Sequence, residues 1–245
     1  MYFVRPTGII PIACISVYVM LWQRRSLLSF AITGAFWLAV FMTYWWRTFG
    51  TILPGYYRSN VDLSSLTMGL EANLISPSRG LLIYVPMTIF IVYLVVRYWE
   101  LIPIPKVVKT AIAIILLQLV AASAYPCWWG GHCYGARLMT DSIPFFALLA
   151  IAGLAAAKSA PGAFRGTQVL VGTLLLLLSI AINARGAMSL HTLFWNVEVD
   201  LTGHPERAMD WSYPQFAAGL VSPPAYVDKA LSRAISDDIA KLHRK

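Results

Sequence analysis

Two arginines stand where polar segments meet long apolar runs, each among residues able to hold an anion. Arg79 closes the segment Ile75-Ser76-Pro77-Ser78-Arg79-Gly80, which leads into Leu81-Leu82-Ile83-Tyr84-Val85-Pro86. Arg137 lies in Trp128-Trp129-Gly130-Gly131-His132-Cys133-Tyr134-Gly135-Ala136-Arg137-Leu138-Met139-Thr140-Asp141. An arginine at the edge of hydrocarbon costs free energy unless it finds a partner or reaches headgroups. Its planar fork suits phosphate. The first turn of a helix adds free N–H groups and a favourable dipole. Ser78, Arg79 and Arg137 are therefore candidate phosphate ligands, expected to converge on one outward-facing site. Trp128, Trp129, His132 and Tyr134 are candidates for lining a sugar or acceptor pocket: flat rings to stack on, and an imidazole that titrates near neutral pH. Competing readings stand beside these. Arg79 could be an anchor snorkelling to headgroups, and the second segment an aromatic belt with an Arg137–Asp141 ion pair.

Asp62, Glu71 and Asp141 are the only acids in the outer connections between spans. Any of them could accept a proton from a hydroxyl, and spacing does not choose among them. Asp141 is the acid beside the phosphate candidates, but pairing with Arg137 would lower its pKa and make it a poor base. The catalytic residue is thus unassigned, with Asp141 a candidate. Cys127 and Cys133 flank the Trp-Trp-Gly-Gly turn, either as a disulfide in an oxidising compartment or as two thiols. Three zinc ligands from Cys127, His132 and Cys133 lack a fourth. The chain has no Walker loop, dinucleotide fingerprint, HExxH or serine elbow.

The elements that would position these residues are membrane spans. The 245 residues are 58% hydrophobic and 12% charged, against about 25% charged in soluble domains. The expected fold is all-α: a polytopic transmembrane helix bundle of about six spans with a polar C-terminal tail. The spans read as Thr7–Gln23, Ser26–Trp46, Gly80–Trp99, Val107–Tyr125, Asp141–Ala157 and Thr167–Ala184, each near the ~20 residues that cross a bilayer. Pro11, Pro86 and Pro144 fall in first turns, where proline is tolerated. Residues 1–185 form the membrane domain and 186–245 the tail. In the tail, Val227, Leu231, Ile235, Ile239 and Leu242 recur at helical spacing. They predict an amphipathic helix of about five turns, packed on the protein itself or lying on the membrane surface.

Orientation follows from charge. The connections after spans one, three and five carry Arg24, Arg25, Arg97, Lys106, Lys109, Lys158 and Arg165 against one acid, Glu100. The positive-inside rule places them in the cytoplasm. Both polar segments, and both termini, then face outward. The net charge of +8 is scattered over span ends rather than gathered on a face, which argues against nucleic acid as a partner.

The two arginine segments, Ser76–Tyr84 and Trp128–Leu138, resemble bacterial polytopic membrane proteins related to the dolichyl-phosphate-mannose-protein mannosyltransferases, in the multi-spanning GT-C glycosyltransferase superfamily. Arg5-Pro6-Thr7 is similar to the start of a mid-chain span in that group, and His204-Pro205-Glu206-Arg207, Asp210-Trp211 and Pro214-Gln215-Phe216 are similar to its tail. The resemblance implies a membrane enzyme that passes a sugar from a polyprenyl phosphate to an acceptor hydroxyl at the outer face of a bacterial inner membrane. Cationic side chains would hold the donor phosphate. An acid in the first outer loop of the full-length enzyme would serve as base or as ligand to a divalent metal. No cofactor is assigned to this chain.

One departure from the family matters. Arg5-Pro6-Thr7 belongs midway along such a protein, so the chain reads as a C-terminal half: a fragment, a split-gene product or a misplaced start. The early acidic loop is missing from it, and the chain alone is expected to be inactive. The implied partners are the lipid bilayer, a polyprenyl-phosphate sugar and an N-terminal half. The alternatives are a non-catalytic membrane scaffold or accessory subunit that keeps the family fold, and a transporter, for which the few mid-span polar residues (Gln118, Ser123 and Asn183) argue poorly.

Overall fold

The computed structural model describes residues 6–52, 61–160 and 166–243. Arg5 and Arg165 lie outside the described residues. The fold is all-helical, with no strand among the described residues. Among the described residues ten α-helices follow one another: α1 (Ile9–Trp22), α2 (Leu27–Phe49), α3 (Leu66–Ile75), α4 (Leu81–Tyr84), α5 (Met87–Arg97), α6 (Pro105–Ser123), α7 (Ile143–Ser159), α8 (Gly166–Met188), α9 (Leu190–Val199) and α10 (Lys229–Leu242).

Among the described residues four stretches are long and apolar enough to cross a membrane: Arg24–Phe49, Pro105–Ser123, Arg137–Ser159 and Gly166–Met188. The first and third expected spans fall short of that measure. Helix α1 has 14 residues, about 21 Å at 1.5 Å per residue. The third expected span is broken rather than continuous. Pro86 has no N–H and its ring excludes a helical path through the preceding turn, so α4 stops after Tyr84 and α5 starts at Met87.

Helix α8 mends that break. Asn183 Nδ2 donates to the Tyr84 carbonyl at 2.7 Å, and Met87 N donates to Ser179 Oγ at 3.1 Å. Ser179 and Asn183 stand four apart on one face of α8, as neighbours on a helix must. Side chains of an adjacent helix satisfy the backbone groups that the proline frees, the condition for tolerating proline inside a bilayer.

The main core joins α4, α5, α6 and α7 through Leu81, Ile91, Val108, Ile115, Leu149 and Ala156. Small residues let the helices close up. A Cβ on Gly153 would lie 2.9 Å from Leu94 Cβ, and one on Gly69 of α3 would strike the Ser123 carbonyl of α6. Such contacts drive association where lipid offers no hydrophobic contrast. Beside them Asn73 Nδ2 donates to Ser123 Oγ at 3.2 Å, tying α3 to α6. Helix α2 is the opposite case. Phe41 is its only buried residue, and most of the rest is exposed, including the large apolar side chains of Leu28, Ile32, Phe36 and Trp37.

The expected domain boundary at residue 185 falls inside α8, and the tail is built into the bundle. Trp195, Val199, Tyr213 and Val227 from the tail share one core with Trp128, Trp129 and Ala72. The predicted amphipathic helix is α10, one turn shorter than expected because Asp228 caps it, accepting from Ala230 N at 2.7 Å. Ile235 and Ile239 are buried, and α10 packs on α9.

Candidate functional site

The connection between α3 and α4, the loop between α6 and α7, and the tail after α8 meet at one end of the bundle. Arg79 is where they join. Its side chain is 1% exposed, and all five of its N–H groups are spent on the protein. Nε donates to the Trp129 carbonyl at 2.6 Å. One terminal nitrogen donates to the Ser78 carbonyl at 2.8 Å and Gln215 Oε1 at 2.7 Å. The other donates to the Gly131 carbonyl at 3.2 Å and Asn196 Oδ1 at 2.7 Å. The guanidinium also lies 5.7 Å from the ring centre of Trp195. Every hydrogen-bond acceptor is neutral. Burial pushes the guanidinium pKa down, but from a value so high that the charge stays.

The partners are held in turn. Gln215, fully buried, accepts from Arg79 and from Gly135 N at 3.3 Å, and donates to the carbonyls of Cys133 at 2.8 Å and Thr192 at 3.0 Å. Ser76 and Ser78, both buried, donate to the Ala208 carbonyl at 2.6 and 3.0 Å. Ser76 Oγ also accepts from the backbone N–H of Ser78 and Arg79. At the end of α8, Arg185 donates to the carbonyls of Phe216 and Ala218, both at 2.6 Å. A buried network in which each member is satisfied rigidifies its surroundings.

The loop above Arg79 turns tightly. Gly130 and Gly131 have φ of 74° and 70°, a region closed to most side chains. Arg137 sits on the outer side of this turn, exposed, with one N–H reaching the Gly130 carbonyl at 3.4 Å. Both arginines bond to carbonyls of one turn, Arg79 from the buried side and Arg137 from the exposed side, and Arg79 does not reach an outward-facing pocket.

The other sequence candidates separate. Ser78 and Arg79 are interior groups whose hydrogen bonds go to the protein, a placement unlike the exposed phosphate ligands the sequence suggests. Trp128 and Trp129 are core residues at 2% and 8% exposure, packed edge to face with centroids 5.6 Å apart. No sugar can stack on rings so covered unless they move. His132 is exposed. Tyr134 is half-buried. Its hydroxyl donates to the Ile182 carbonyl at 2.7 Å, its ring lies against Gly186, and burial pushes its pKa up to about 12. Asp141 accepts from Thr7 Oγ1 at 3.2 Å, which brings the N-terminal segment to the same end. Asp62 caps its own loop by accepting from Ser64, and Glu71 is exposed on α3. Cys14, Cys127 and Cys133 are free thiols. Among the described residues no three metal-ligating side chains cluster.

Asn196, Gln215 and Arg185 carry much of this architecture; Asn196 and Arg185 had no role from sequence reasoning, and Gln215 stood there only within a tail segment of the family resemblance. The available signal was an imbalance: an arginine entering a span with no acid nearby must find neutral acceptors elsewhere. The chain matches no protein-family model, no curated protein and no solved structure.

Proposed function

We propose that this chain is the donor-binding part of a glycosyltransferase in a bacterial inner membrane, taking a sugar from a polyprenyl phosphate and passing it to an acceptor hydroxyl at the outer face. One observation carries the reading. The segments on which the family resemblance rests, 76–84, 128–138 and 204–216, are far apart in sequence yet meet at Arg79. Thr7, from the fourth such segment, reaches Asp141 beside them.

The proposal extends to topology. Helices α1 and α4–α5 join the four long helices as six spans, the cluster and both chain ends lie outside the cytoplasm, and the partners are the bilayer and a polyprenyl-phosphate sugar. In the chemistry, a base takes the acceptor's proton as its oxygen attacks the anomeric carbon, and the phosphate leaves with the bonding pair. Cationic groups stabilise that developing charge. Arg137, exposed over the turn, is the group for this task. Arg79 and Ser78 act through the turn they hold. Asp141 is the acid at the cluster, and a partner half supplies the base if Asp141 does not.

The test supplies labelled polyprenyl-phosphate sugars to the chain in nanodiscs, alone and with an upstream half from a full-length relative. Transfer that is present with both halves and falls tenfold or more in Arg137→Ala supports the proposal. Transfer by the chain alone that vanishes in Asp141→Asn makes Asp141 the base. No transfer in either arrangement favours the second reading, a non-catalytic accessory subunit. The saturated guanidinium of Arg79 is the observation on that reading's side.

A further inference from the structure

At the end of the bundle away from Arg79, cations gather over aromatic rings. Helix α6 runs 19 residues from Pro105 to Ser123, about 28 Å at 1.5 Å per residue. Its last residue, Ser123, accepts from Asn73 at the Arg79 end, so its first turn lies about a hydrocarbon thickness away. There the Lys106 ammonium stands 5.7 Å from the ring centre of Trp22, the last residue of α1. The Lys109 ammonium stands 5.7 Å from the ring centre of Trp99, in the turn after α5. Arg97 stands 5.4 Å from the ring centre of Tyr98. All three cations are exposed, and so are Arg24 and Arg25 just after Trp22.

A ring face attracts a cation without neutralising it. An ammonium laid over an indole keeps N–H groups for another acceptor. No ion pair among the described residues includes Lys106, Lys109, Arg97 or Glu100, the acid beside Trp99. Lys106 and Lys109 stand three apart on α6, so they are neighbours and repel. An anion between them turns that repulsion into attraction. Apolar surface adjoins the charges. Leu21, Leu101 and Ile104, close in sequence to Trp22, Trp99 and Lys106, are all exposed. Tryptophan and tyrosine at the end of a span sit at headgroup depth. The ligand that matches both surfaces is anionic at its head and apolar behind it. A soluble anion would use the charges and leave the apolar side chains uncovered.

We propose that this end of the bundle binds an anionic phospholipid, with the phosphodiester of its headgroup between Lys106 and Lys109 and its acyl chains against the exposed apolar side chains beside them. Trp22 and Trp99 position the two lysines, and Arg97 adds to the attraction. The proposal requires that the bundle sit in a bilayer. It does not depend on the glycosyltransferase reading.

The experiment titrates the chain, purified in a non-ionic detergent, with phosphatidylglycerol or with phosphatidylcholine of the same acyl chains. Native mass spectrometry counts the bound lipid. One phosphatidylglycerol is expected to bind saturably, tenfold or more tighter than phosphatidylcholine. Lys106→Gln and Lys109→Gln should each weaken it about fivefold, the worth of one basic residue near an anionic lipid surface. Together they should remove the preference. Lys158→Gln is the control. Lys158 is exposed near the end of α7, where Ala157 packs with Tyr98, and no ring lies beneath it among the described residues. Its loss should change binding by less than about twofold, since one distant charge is screened. These substitutions are on exposed side chains, and size-exclusion chromatography checks that each variant is folded. Equal binding of the two lipids, a preference that survives loss of both lysines, or a loss in Lys158→Gln as large as in the pair each overturn the proposal. Full competition by soluble glycerol phosphate at the lipid's own affinity would make this a site for free phosphate and overturn it too.

Discussion

Arg79 and Arg137 reach the same turn from opposite sides and are treated differently by the protein around them. Arg79 is 1% exposed and spends five N–H groups on neutral acceptors. Arg137 is exposed, and its bond to the turn is 3.4 Å long. The inner side is a closed network in which each bond lost leaves another group unpaired. The outer side is a surface, where Arg137 and His132 are exposed. A motif arginine is therefore not one kind of residue. Burial decides whether its guanidinium is enclosed by the protein or faces the surface.

The difference breaks most visibly at Arg79→Ala. It removes five hydrogen bonds, four of them buried, and each buried group left unpaired costs about 1–3 kcal/mol. The expected result is no monodisperse folded protein by size-exclusion chromatography. Arg79→Lys, with three donors, should fold only partly. Normal folding of the alanine variant would mean the inner network is not structural. Gln215→Leu comes next. It removes four hydrogen bonds but keeps the shape, and should lower stability by about 3 kcal/mol, read as a lower midpoint in detergent unfolding.

Gly186→Ala should cost about 1–3 kcal/mol, because its Cβ would enter the Tyr134 ring and overpacking of that kind falls in this range. Adding Tyr134→Ala should recover part of that loss, which a double-mutant cycle would detect. The same tyrosine gives a pH test. Its folded pKa, about 12, lies above the ordinary value near 10, so the folded state holds the proton longer. Its contribution is complete below about pH 10 and is lost as pH rises towards 12. Thermal melts across that window should fall more steeply in the parent than in Tyr134→Phe. The smallest effect belongs to the outer side. Arg137→Ala and His132→Ala should change stability by under about 0.5 kcal/mol, and a larger loss would erase the contrast between the two sides.

Apolar runs made the helices legible from sequence, while the orientation rests on the charge at their ends alone. The break at Pro86 was not read, because a proline six residues from Gly80 could still pass for a first-turn residue while the span's start was uncertain. The two arginine segments were legible as a pair, and they do meet at one turn. Which arginine is buried was not legible. That depends on Asn196 and Gln215, which lie 117 and 136 residues beyond Arg79, and a neutral amide carries no charge pattern to announce itself. The tryptophans misled for a similar reason. Trp128 and Trp129 look like belt or stacking residues until the tail supplies Trp195 and Tyr213 to cover them.

The mended break between α4 and α5 has a consequence for synthesis. The Tyr84 carbonyl and Met87 N–H are made 99 and 92 residues before the side chains that satisfy them. A chain inserted in order thus carries a broken segment whose two backbone groups stay open until α8 emerges. Hydrocarbon would penalise both during that wait. Those groups keep water or the insertion machinery as partners for an interval set by about 90 residues of translation, roughly 5–20 s at ordinary rates of synthesis. Substituting Asn183 with leucine should lengthen that exposure indefinitely, making the segment before α5 a lasting target for membrane proteases while leaving the other helices inserted.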